Sequence, residues 1–219
     1  MSNSEIQQAL RAELASWDVS VFESFASRYN AQLESIVAEI ANAHTIWKEF
    51  DSTINGSQDR AYISALIFAA ASLLMTSTKQ LVWGLLAPSG NSMRQVLETI
   101  CLALLCSKPA LGFLPRYADG SYRSHNAVRD VMANLEALNL NEDGMKVLRR
   151  SKDFYNAFSH PSLMTLGTFI ALGSGGTLFG AAFDEGKSFG YDKEINIRLQ
   201  VARLLPNFIA GVRHNLGDQ

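Results

Sequence analysis

The sequence predicts an all-α protein: a helical bundle of about six to seven helices with a short irregular or hairpin insert near residues 164–191. Three observations predict it. Apolar residues recur every three or four positions along most of the chain, the period of a helix with one buried face. Capping residues and Gly/Pro/Asn breakers separate these runs. The composition, 47% hydrophobic and 18% charged, suits a folded globule rather than a disordered chain.

The clearest run is DVSVFESFASRYNAQLESIVAEIANAHTIWKEF. Phe22, Phe25, Tyr29, Leu33, Ile36, Ile40 and Trp47 form one stripe, and Ser20 with Glu23 fits a capping box at its start. Asn55-Gly56 then breaks the chain. A second helix is expected from about Asp59 to Leu86. Its segment 61–78 carries no charge, yet its serines and threonines favour a core helix over a membrane span. APSGNS (87–92) reads as a break, and Ser92 with Gln95 as a capping box for MRQVLETICLALLCS. That helix is apolar almost all round, which places it at the centre of the bundle. KPALGFLP (108–115) reads as a loop, and a helix from Tyr117 to Leu138 follows, loosened at Asp119-Gly120. Asn141 caps the next helix, which ends near His160 because Pro161 disfavours helical backbone in the residue before it. Asp192 is expected to cap the last helix, with Pro206 inside it. The chain reads as a single domain, 1–219. Residues 1–55 are a helical extension that packs on, or dimerises with, a 59–216 core.

The formal net charge of −2 gives no overall basic field for nucleic acid or an anionic membrane. Cys101 and Cys106 lie on different sides of one helix, so they are read as buried thiols of a cytoplasmic protein. No cofactor or metal is expected. GAAFDEGKS (180–188) ends like a P-loop, but Ala181 stands where glycine is required, and Asp184 and Glu185 would repel phosphate. Gly190 is also read as opposing a helix that opens directly after Ser188. No G-x-S-x-G or HExxH occurs, and four histidines with two cysteines are too few for a zinc site.

Two places are singled out for function. Arg94 and Glu98, one turn apart on the most apolar helix, are either a solvated strip or a partly buried pair. His160 is either a helix cap or a working residue, and Tyr155 stands five residues before it. If the two helices are neighbours, Arg94, Glu98, Tyr155 and His160 form a polar cluster. Phe22, Phe25, Tyr29, His44 and Trp47 are the candidate interface for a second copy.

GNSMRQVLETICLAL and YNAFSHPS together resemble a group of uncharacterised bacterial all-helical proteins related by fold to HEPN domains. The resemblance spans about residues 61–215. It implies a helical bundle that tends to dimerise, with a link to toxin–antitoxin or phage defence, and many HEPN domains are ribonucleases. Their catalytic pattern is an arginine followed after four to six residues by a histidine. Here Arg149 and Arg150 lie eleven and ten residues before His160, Arg116 nine before His125, and Arg203 eleven before His214. RNA cleavage therefore does not carry over. The expectation is a non-enzymatic homo-oligomeric binding module; the alternative is a nucleic-acid-acting enzyme with a non-standard site around His160.

Overall fold

The computed structural model describes residues 3–15, 17–178 and 180–217. Among these lie nine α-helices: α1 (Asn3–Ala15), α2 (Val19–Asp51), α3 (Gln58–Val82), α4 (Leu86–Cys106), α5 (Phe113–Ala118), α6 (Ala127–Ala133), α7 (Glu142–Asn156), α8 (Leu163–Thr168) and α9 (Ser188–Asn215). The described residues contain no β-strand; a single antiparallel bridge joins Ile170 to Thr177 within the expected insert. The fold is the all-α bundle that the helical period predicts.

The RQVLE helix is the innermost rod. In α4, Met93, Val96, Cys101, Ala103 and Leu105 are 0% exposed, and the helix touches α3, α5, α6, α7, α8 and α9. A side chain the size of Met93, Val96 or Leu105 taken fully from water contributes roughly 1.5–3 kcal/mol before conformational entropy is set against it. Against α4 lies α3. Its Ile63, Ile67, Ala70, Leu74 and Leu81 face the core, while Tyr62, Phe68 and Met75 stay exposed. By length and composition α3 is apolar enough to cross a membrane, although 44% of its most apolar window is buried inside the bundle.

Two starts differ from the sequence expectation. Helix α4 opens at Leu86, before the expected break, with Pro88, Ser89 and Gly90 in its first turns. Proline is tolerated there because first-turn amides have no intrahelical partner. Gly90 is required by packing: a Cβ built on it would lie 2.4 Å from the Phe158 ring. Ser92 is therefore not a cap; its hydroxyl donates to Gln80 Oε1 at 2.7 Å. Likewise α9 opens at Ser188, with Gly190 in its first turn, so the expectation that Gly190 opposes a helix there is corrected. Asp192 lies inside α9, where Oδ1 accepts the Tyr29 hydroxyl at 2.7 Å.

The cap of α2 is Asp18, whose side chain accepts the Ser20 backbone N–H at 2.9 Å; Ser20 is a partner of the cap, not the cap itself. Helix α2 is bent at Tyr29, which has non-helical dihedrals. It packs along α3 and α9. Asn141 caps α7 as expected, accepting the N–H groups of Asp143 and Gly144. The expected 117–138 helix is split into α5, a turn through Asp119-Gly120, and α6.

Candidate functional site

Helix α7 runs into a 3-10 turn, Ala157–Ser159, and His160 then takes extended backbone with φ −135° and ψ 157°, as a residue before proline prefers. His160 is exposed. Its carbonyl accepts the Thr165 hydroxyl at 2.8 Å, and its imidazole makes no hydrogen bond among the described residues. Arg94 and Glu98 form a partly buried pair, with Nε to Oε1 at 2.8 Å. The other side of the guanidinium donates to Ser159 Oγ at 2.9 Å, and Ser159 donates to Asn91 Oδ1 at 2.8 Å. Thus α4 and the SHPS corner are neighbours. The ion pair ties to Ser159, however, and not to the imidazole beside it.

Tyr155 turns the opposite way. It is 0% exposed and donates to Glu194 Oε2 on α9 at 3.0 Å. Glu194 in turn accepts from Arg198, one helical turn on, whose guanidinium is also wholly buried. An isolated buried charge is prohibitively costly, so such a group needs several partners. Arg198 has them. Its second terminal nitrogen donates to Ser77 Oγ at 2.9 Å and to Ser89 Oγ. Ser77 and Ser89 clamp α3 to α4, each hydroxyl donating to the other's carbonyl at 2.9 Å. Burial pushes the Tyr155 phenol well above its ordinary pKa. Burial also works against the Arg198 charge, but the adjoining Tyr155 and Glu194 outweigh it and hold its pKa raised. Glu194 Oε1 and Arg198 Nε are buried without a hydrogen-bond partner among the described residues.

The four candidate residues thus fall into two networks plus an exposed histidine. No hydrogen bond or ion pair among the described residues joins Tyr155 or the His160 imidazole to Arg94 or Glu98. The sequence reading did not single out Glu194 and Arg198. Their spacing is that of an ordinary surface pair, and the signal was the demand of Tyr155 for a partner.

Next to this network opens a cavity of about 350 Å³ between α7, α8 and the start of α9. Phe154, Phe158, Met164, Leu172 and Tyr191 supply apolar walls, and Glu194 lines it. Two lysines also line it. Lys193 Nζ sits 3.9 Å from the Phe154 ring centre, and Lys187 Nζ donates to the Thr168 carbonyl at 2.8 Å. Around the mouth, apolar side chains face solvent: Leu163 is 89% and Phe189 73% exposed. Asp184 holds the insert in place, accepting the N–H groups of Leu172, Gly173 and Gly186 at 2.6–3.0 Å.

The candidate interface on α2 is largely consumed within the chain. Phe25 is 0% and Tyr29 3% exposed, and Phe25 packs on Phe183 and Tyr191. Trp47 is half-buried and donates to Ser64 Oγ at 2.9 Å, with His44 and Phe68 against its ring. Of the five, Phe22 is 37% exposed, and it stacks on Trp83.

No protein-family model, curated protein or solved structure matches the chain. The HEPN likeness therefore rests on the two short motifs alone.

Proposed function

We propose that the chain is a non-enzymatic helical binding protein that takes a small apolar ligand into the cleft between α7, α8 and α9. The observation that carries this reading is the cavity itself. Its volume of about 350 Å³ falls within the range of small-molecule sites, and its walls are mostly apolar with a few polar groups among them. The exposed apolar mouth supports it, since such a patch on a soluble surface marks an interaction site.

The experiment is titration with a neutral fluorescent probe, N-phenyl-1-naphthylamine, against the full chain and a Gly167→Phe variant. Gly167 lines the cavity and a Cβ there meets nothing within 4 Å, so the new ring enters open space. Saturable one-site binding that the variant loses is expected. A homodimer remains a second proposal. It is carried by the exposed apolar mouth rather than by α2, and light scattering tests it: a monomer at all concentrations removes it.

A further inference from the structure

We infer that the ligand of this cleft is an anionic amphiphile of the fatty-acid type, its carboxylate received by Lys193 and Lys187. The inference rests on the cavity reading above and adds the head-group chemistry. Three charged side chains line the cavity: Lys187, Lys193 and Glu194. Glu194 is already neutralised, because it pairs with the wholly buried Arg198 and accepts from Tyr155 as well. The two lysines are not neutralised: neither forms an ion pair among the described residues. The charge left over at the apolar cleft is therefore positive.

Both ammonium groups stand against residues of the cavity wall. Lys193 is exposed, and its Nζ lies 3.9 Å from the centre of the Phe154 ring, which lines the cleft. Lys187 is 6% exposed, and its Nζ donates to the carbonyl of Thr168, which lines the cleft too. An ammonium has three N–H donors, and that bond is the one Lys187 makes among the described residues. A buried cation held by a single neutral acceptor is costly, and an anion beside it offsets that cost. Burial pulls the Lys187 pKa down, and the Asp184 charge opposes this without a direct ion pair. Asp184 is itself committed to the N–H groups of Leu172, Gly173 and Gly186.

These charges select the head group, and the walls of Phe158, Met164 and Leu172 take the hydrocarbon. A ligand ammonium would meet two like charges. An alcohol would leave both lysines without a counter-ion. Acetate has the charge but no apolar body to fill the cleft. A medium-chain carboxylate supplies both, with charge-assisted hydrogen bonds at its head.

The test displaces N-phenyl-1-naphthylamine from the wild-type chain with octanoate, octan-1-ol, octylammonium and acetate. Octanoate is expected to bind about tenfold tighter than octan-1-ol, with octylammonium weaker than either and acetate without effect. Lys193→Gln, a change at an exposed position, should weaken octanoate severalfold and leave octan-1-ol unchanged; Lys187→Gln should do the same. Equal affinity of octanoate and octan-1-ol overturns the inference and leaves the cavity reading intact, as does tighter binding of octylammonium. Displacement by acetate as effective as by octanoate overturns it in favour of a bare anion site. An octanoate preference that survives both substitutions overturns the role of the lysines. If the fluorophore itself finds no saturable site, the cavity reading falls and the inference falls with it.

Discussion

The Tyr155 hydroxyl donates to Glu194 Oε2 at 3.0 Å, joining α7 to α9 across 39 residues of sequence. Through Glu194 it reaches Arg198, and through Arg198 the Ser77–Ser89 clamp between α3 and α4. One chain of polar contacts therefore touches four helices inside an otherwise apolar bundle. Chains of this kind are favourable only when complete, because each member relies on the low dielectric that would penalise it alone.

Removing one member should be costly. Arg198→Leu leaves Glu194 as a buried charge without its counter-ion and should cost about 3–5 kcal/mol in urea unfolding. The double replacement Glu194→Leu/Arg198→Leu should cost clearly less than the sum of the two single changes, since it removes both charges together. Strict additivity would mean that the pair is not coupled.

Gly90 should be nearly irreplaceable. A Cβ there meets the Phe158 ring at 2.4 Å, against the wall of the cavity. Gly90→Ala should lower stability by about 1–3 kcal/mol through overpacking, despite the helix propensity of alanine. Adding Phe158→Leu should recover part of the loss. Thermal unfolding of the wild type and the two variants checks this.

Acid should loosen the insert. Burial alone would raise the Asp184 pKa, but backbone N–H groups of Leu172, Gly173 and Gly186 overcome it, and the folded value lies below the ordinary 3.8. A carboxylate depressed in this way contributes its full stability above pH 3.8. That contribution is lost as pH falls through the lower folded value. Asp184→Asn should therefore be less stable at neutral pH and flatten the acid limb of a stability-against-pH curve. An unchanged acid limb would contradict the role assigned to Asp184.

The two thiols should react only on global opening. Cys101 and Cys106 are 0% and 1% exposed, and burial pushes the Cys106 thiol up to about 12 and Cys101 higher still. Labelling by a thiol reagent should track the unfolded fraction across a urea series. Rapid labelling without denaturant would contradict their burial.

The helices were legible because period and caps are local signals. The α2 stripe, the Asn141 cap and the uniform apolarity of α4 each lie within a few residues of sequence. The opening of α4 was not legible: Pro88, Ser89 and Gly90 look like a break, and only Phe158, far along the chain, explains the glycine. The site was half legible for the same reason. Arg94 with Glu98 is a local pair, and its tie to Ser159 follows from the nearness of two helices. Glu194 and Arg198 have the same local spacing, and nothing nearby in sequence says that they are buried. That depends on Tyr155, Ser77 and Ser89, which the fold alone brings to them.

The most direct measurement is the titration of N-phenyl-1-naphthylamine into the wild-type chain beside Gly167→Phe. A single saturable site that the substitution abolishes, with the unfolding midpoint preserved, is the outcome that an apolar binding cleft between α7, α8 and α9 predicts. Undiminished binding in the variant, or no saturable binding in the wild type, would contradict it.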